Sequence, residues 1–177
     1  MLKFGYHQLT STQFTVIEIN PHVIALKDEF DVPNDPQRIT LLCGDGADFV
    51  RDTSKEPDVL LVDGFDSEGQ APSLCSQAFY NDCCQLLGSN GLMVVNLNPA
   101  HPDHEVFMGR IRLAFDNQVL EVKSQEKTNH IVFACKDRAI SVQELRSNNQ
   151  QKNFSEGTWA QLKFEFKRLA REMQASL

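Results

Sequence analysis

The chain has 177 residues, 41% of them apolar and 23% charged, with a formal net charge of −7. That supports one domain with a real core, or a domain plus an appendage, and argues against a phosphate-tracking nucleic-acid surface, which needs clustered Lys and Arg. No apolar run approaches the roughly 20 residues of a membrane span and the first residues do not read as a signal peptide, so a cytoplasmic protein without membrane or nucleic-acid partners is expected.

Short β-branched runs alternate with helical patterns along the chain, as in βαβ units around a parallel sheet. Met1 to Thr10 reads as the end of a helix and Phe14 to Ile19 as a strand. Asn20 then offers an N-cap and Pro21 a first helical residue, with Val23, Leu26 and Phe30 at helical spacing behind them. Pro33 to Pro36 breaks the chain before the next strand, Ile39 to Cys43. Gly44-Asp45-Gly46 turns into a short helix, Ala47 to Arg51.

Val59 to Val62 is a near-continuous apolar run, the pattern of a strand covered on both faces. A glycine-bounded acidic loop follows, Asp63-Gly64-Phe65-Asp66-Ser67-Glu68-Gly69. A helix from about Ser76 to Leu87 ends at Gly88-Ser89-Asn90-Gly91, and Leu92 to Leu97 is a second buried-type strand. A helix from about Asp103 to Phe115 carries Phe107, Ile111, Ala114 and Phe115 on one stripe. Val119 to Val122 and His130 to Cys135 read as an antiparallel pair closing the sheet.

These elements define a domain over residues 1–138, followed by a helical tail over 139–177. Within the tail, Thr158-Trp159-Ala160-Gln161 matches a capping box. Trp159, Leu162, Phe166, Leu169 and Met173 form an apolar stripe that suits docking on the domain itself, a contact between two copies in a homodimer, or a basic membrane-surface helix.

Five cysteines, Cys43, Cys75, Cys83, Cys84 and Cys135, show no CxxC pair. Cys43 and Cys135 sit in apolar strand runs, where cysteine acts as a small hydrophobe. His101 and His104 are spaced to share a helix face, but no third ligand is evident beside them, and no metal site is expected.

The carboxylates carry the functional signal. In open parallel sheets, ligands bind beyond the carboxyl ends of the strands. Glu18, Asp45 and Asp63 lie at the exits of three successive strands, with Asp66 close behind. Glu18 suits ribose hydroxyls or the dipole of the next helix. Asp45 suits an exocyclic adenine amine or a helix N-cap. Asp63 and Asp66 suit a cationic ligand, by positioning and general-base work, or a plain acidic surface loop. Together they favour adenosine bearing a positive sulfonium over a dinucleotide, whose pyrophosphate three carboxylates would repel.

Four segments carry a resemblance: Phe14-Thr-Val-Ile-Glu-Ile-Asn-Pro21, Gly44-Asp-Gly-Ala-Asp-Phe49, Asp58-Val-Leu-Leu-Val-Asp-Gly-Phe-Asp66 and Gly91-Leu-Met-Val-Val-Asn-Leu97. Over about residues 1–135 the chain resembles the polyamine aminopropyltransferases, the spermidine synthase family. The resemblance implies an α/β fold, a class I methyltransferase-like Rossmann sheet that is mostly parallel, with an antiparallel C-terminal hairpin. It implies transfer of an aminopropyl group from decarboxylated S-adenosylmethionine, a co-substrate and not a tightly bound cofactor, to an amine acceptor. Glu18 would hold the ribose, and Asp45 with Gly46 and Ala47 the adenine. Asp63 would be the catalytic base, with Asp66 and Glu68 on the amine, and no metal is implied.

The sequence departs from the family pattern at Ser67 and Gln70, where prolines are usual in the acidic loop. The small N-terminal β-domain, the usual first strand and its glycine-rich cofactor loop are not matched either, so the sheet is expected to leave the neighbours of that strand unpaired. A methyltransferase using S-adenosylmethionine, and an interaction protein keeping the fold without catalysis, stand as alternatives.

Overall fold

A computed structural model describes residues 1–66, 69–123, 129–138 and 154–175. They form two compact units. One is built from Met1–Phe49 with the first part of the last helix, the other from Val50 onward with the rest of that helix.

In the first unit, helix α1 (Leu2–Gln8) leads into strand β1 (Phe14–Glu18), then short helix α2 (Pro21–Ala25) and strand β2 (Ile39–Cys43). β1 and β2 pair in parallel, with Phe14 opposite Ile39 and Glu18 opposite Cys43. Asn20 caps α2 as its sequence suggests, its Oδ1 accepting the His22 backbone N–H at 2.9 Å. The helix ends at Ala25, however, and Val23, Leu26 and Phe30 are all exposed. Their helical spacing therefore does not mark a buried stripe.

Among residues 1–49 only Ile39 is buried, so polar contacts carry much of the cohesion. Arg38 is the chief of them. Its guanidinium donates to the carbonyls of Tyr6, Leu9 and Thr12 at 3.1, 2.7 and 3.1 Å and lies 4.2 Å from the Tyr6 ring centroid. A planar five-donor fork with a cation–π contact suits this better than a lysine would.

Helix α3 (Gly46–Asp52) passes from the first unit to the second. The second unit then holds strand β3 (Val59–Val62), a hairpin of β4 (Phe65–Asp66) and β5 (Gly69–Gln70), and a 3-10 turn at Pro72–Cys75. Helix α4 (Gln77–Leu86), strand β6 (Leu92–Leu97), helix α5 (His104–Ala114), and strands β7 (Val119–Lys123) and β8 (His130–Cys135) follow. The main sheet has the order β3-β6-β8-β7. β3 and β6 are parallel, whereas β8 runs antiparallel to both β6 and β7.

The expected hairpin is thus present, but it is β8, not β7, that lies against the parallel strands. Among the described residues the ladder does not continue from β1 to β3. Among the described residues β1 pairs with β2 alone and β3 with β6 alone.

The core of the second unit fills the space between this sheet and α4 and α5. Met93, Val95 and Leu97 of β6, Tyr80 and Cys83 of α4, and Met108 and Ile111 of α5 have at most 1% of their surface exposed. Full burial of the Met, Val, Leu and Ile side chains among them stabilises by about 1.5–3 kcal/mol each. β3 departs from its sequence reading: Val59 and Leu61 are 51% and 53% exposed. A strand paired on one side only, with one face uncovered, does not bury its whole apolar run.

Helix α6 (Glu156–Ala175) closes the described chain. Its start lies earlier than the Thr158 capping box suggests. The Ser155 hydroxyl accepts the Thr158 backbone N–H at 3.2 Å, and Phe154 stacks on Trp159 with ring centroids 6.2 Å apart. A cap at Ser155 puts these two aromatics at the positions of a hydrophobic staple, which decides between two competing caps. Trp159 and Ala170 are buried and Leu162, Phe166, Leu169 and Met173 half-buried, so the expected stripe is the covered side. No described helix is long and apolar enough to cross a membrane.

Candidate functional site

Glu18 and Asp45 share the first unit. Parallel pairing of β1 and β2 brings their carboxyl ends together, and the Gly44 N–H donates to the Glu18 carbonyl at 3.0 Å. The Glu18 carboxylate accepts the Asn20 N–H at 2.8 Å, holding the turn into α2. Asp45 accepts the Ala47 N–H through Oδ1 at 2.7 Å, and its carbonyl accepts from Phe49 at 3.0 Å. Asp45 therefore caps α3, and the Ala47 amide expected to face a ligand is occupied by Asp45 itself. Gly46 is the first residue of α3, and both Glu18 and Asp45 remain half-exposed.

Asp63 and Asp66 belong to the second unit, and both are exposed. Val62 lies opposite Val95 in the β3–β6 ladder, so the next residues on each strand, Asp63 and Asn96, are neighbours. Asn96 Nδ2 donates to Asp63 Oδ1 at 2.9 Å. The Asn96 Oδ1 atom is left buried without a hydrogen-bond partner among the described residues, an uncommon state for a polar group.

The acidic segment is not an irregular loop. Phe65 pairs with Gln70 and Asp66 with Gly69 in a two-rung antiparallel hairpin. Glu68 lies outside the described residues. Gly69 has φ +127°, a conformation side chains resist. At Gly64, a Cβ would come within 2.1 Å of Leu74 Cδ1.

Gln70 anchors the hairpin. It is only 7% exposed, donates from Nε2 to the Asn96 carbonyl at 3.1 Å, and accepts the Asn98 N–H at 3.0 Å. A buried amide with both ends satisfied by one strand end fixes position well. From residue patterns alone Gln70 is only a departure from a proline, and Asn96 has no role. The available signal was a polar residue inside an otherwise apolar strand, which must find a partner when packed.

The other sequence candidates lie elsewhere. His101 accepts the Asp103 N–H at Nδ1 and packs its ring on Phe107, while His104 turns toward Glu121. The His104 backbone N–H donates to the His101 carbonyl at 3.0 Å, but the two imidazoles take different partners. Cys75 and Cys83 are buried, and burial pushes both thiols up from their ordinary range. A depression of about 230 Å³ near Arg51, Lys55, Asp82 and Gln85 has none of the carboxylates named above in its lining.

The sheet order, with its antiparallel β8 inserted beside the last parallel strand, defines a class I methyltransferase-like Rossmann fold. Solved structures agree. Human methyltransferase-like protein 13, in complex with SAH, superposes with a TM-score of 0.69 at 13% identity, covering 96% of this chain and 76% of its own. A spermidine synthase in complex with the transition-state analogue AdoDATO superposes with a TM-score of 0.61 at 22% identity, covering 89% and 61%.

Sequence comparison is more specific. Residues 6–133 match the family model of the spermine/spermidine synthase domain, and the chain belongs to that family. It is 32% identical over 127 residues to the polyamine aminopropyltransferase of Neisseria meningitidis serogroup A, covering 71% of this chain and 48% of the relative. It is 30% identical over 119 residues to that of Chromobacterium violaceum, covering 67% and 46%. The chain spans about half the length of these curated relatives.

Proposed function

We propose that this chain serves aminopropyl transfer from decarboxylated S-adenosylmethionine to an amine, with Asp63 as the base. The observation that carries the reading is Asp63 at the end of β3, oriented by Asn96 at 2.9 Å, in a chain of the spermine/spermidine synthase family. The amine nitrogen attacks the propyl carbon beside the sulfonium. A C–N bond forms, the C–S bond breaks, methylthioadenosine leaves with the electron pair, and Asp63 takes the amine proton. Holding a nucleophile in line and removing its proton is work that a positioned carboxylate does.

The remaining roles follow unit by unit. Glu18 holds the ribose, and Asp45, Gly46 and Ala47 the adenine, which asks the Asp45–Ala47 contact to be shared with or yielded to the nucleobase. Asp66 and Glu68 bind the amine. At 4 Å each carboxylate attracts a unit positive charge by roughly 1–4 kcal/mol, depending on how far water is excluded. A methyltransferase reading fits less well, because the carboxylate of intact S-adenosylmethionine would approach this acidic segment.

Calorimetry tests the reading. Decarboxylated S-adenosylmethionine and methylthioadenosine should bind, and S-adenosylmethionine more weakly. Tighter binding of S-adenosylmethionine would favour the methyltransferase, and no heat with any of the three would favour a chain that keeps the fold without the reaction.

A further inference from the structure

A second cluster of chemically capable side chains stands apart from the carboxylate hairpin. His104 opens α5, Glu121 lies in β7, and His130 opens β8. The ladder pairs Glu121 with Val132, leaving His130 diagonal to Glu121 on the same face, where long side chains meet. His104 reaches this face from α5.

The Glu121 Oε1 atom lies 3.1 Å from His104 Nε2 and 2.5 Å from His130 Nδ1. The side chains of His104, Glu121 and His130 are 9%, 26% and 14% exposed, and one ligand atom from each lies within 4.8 Å of the other two.

We propose that His104 Nε2, His130 Nδ1 and the Glu121 carboxylate form a site for a divalent transition-metal ion of the zinc type, with a fourth position for water. Two imidazoles and one carboxylate suit zinc and its neighbours in the first row. They suit calcium and magnesium poorly, since those ions want oxygen ligands.

The geometry requires movement of the side chains: the two imidazole ligand atoms lie within 4.8 Å of each other and must reach tetrahedral spacing. Bonds of about 2.0–2.2 Å in a tetrahedron put ligand atoms about 3.3 Å apart. The His104–Glu121 distance nearly meets this, and the His130–Glu121 contact must open by a turn of the carboxylate. The three donors sit on three different elements, so an ion would clip the start of α5 to the β7–β8 hairpin.

Two further contacts set the strength. Arg112 Nη2 lies 4.0 Å from Glu121 Oε2, and its charge opposes a cation. His104 Nδ1 is buried without a partner among the described residues. A ligating imidazole that binds through Nε2 carries its proton on Nδ1 and normally donates it outward; lacking that bond costs about 10–100-fold in affinity. The site is therefore a moderate binder, not one that holds its ion through every purification.

The test uses the full chain carrying Cys43→Ser, which removes an exposed competing thiol. Zn²⁺ alone should raise its melting temperature, saturating at one equivalent. Glu121→Gln and His130→Asn, checked for native circular dichroism without metal, should each weaken binding by at least about tenfold. No shift with Zn²⁺, or an affinity in either variant equal to that of the Cys43→Ser parent, overturns the proposal. Co²⁺ binding keeps the test decisive if either variant fails to fold. Visible ligand-field bands without a thiolate charge-transfer band support the site, and a thiolate band, or no visible band, overturns it.

Discussion

Asn96 donates through Nδ2 to Asp63 Oδ1 at 2.9 Å, a contact set by the parallel register that places Val62 opposite Val95. Two residues far apart in sequence thus meet because they are the first to follow paired strand positions. If Asp63 is the base, Asn96 is its positioning residue. Asn96→Ala should lower kcat for aminopropyl transfer by about tenfold, the low end for a hydrogen bond to a carboxylate at an exposed site. Affinity for methylthioadenosine should not change. A comparable loss in nucleoside affinity would assign Asn96 a general structural role.

Glycines separate tight from open packing. A Cβ on Gly91 would lie 2.8 Å from both the Gly88 carbonyl oxygen and Leu87 Cβ, at the turn that feeds β6. Gly91→Ala should cost about 1–3 kcal/mol, the usual cost of overpacking. Gly109 is exposed within α5, and a Cβ there would meet no heavy atom within 4 Å. Gly109→Ala should stabilise by about 0.5–1 kcal/mol through helix propensity. Urea unfolding of both variants checks the pair, which should move in opposite directions.

The thiols should fall into two reactivity classes. Cys43 is exposed, whereas Cys75, Cys83 and Cys135 are buried, and burial first of all pushes the Cys83 thiol well above its ordinary range. The reactive species is the thiolate, so both access and acidity protect Cys83. Titration with an aromatic disulfide near pH 8 should modify Cys43 fast and Cys83 only on unfolding. Rapid modification of Cys83 in the native protein would contradict the packing of α4.

Much of this was legible from residue patterns. β2, β6 and β8 run over Ile39–Cys43, Leu92–Leu97 and His130–Cys135, the bounds that their apolar runs suggest. Local chemistry also fixes the Asn20 cap. The exposed face of β3 could not be read, because an apolar run states what a strand would bury and not whether anything covers it.

Pairing decided the rest. The β4–β5 hairpin depends on Gln70 reaching the end of β6, a contact across 26 positions. His101 and His104 looked like a pair by spacing, yet His104 meets Glu121 and His130 through strand register and the packing of α5. The start of α6 turned on a Phe154–Trp159 stack that outweighs a second plausible cap.

The most direct measurement is release of methylthioadenosine from decarboxylated S-adenosylmethionine in the presence of putrescine or a longer polyamine, for the native chain and for Asp63→Asn. The account predicts turnover in the native chain and its loss, by at least about 100-fold, in the variant, with methylthioadenosine still bound by both. Equal turnover in the two proteins, or none in the native chain with any amine, would contradict it.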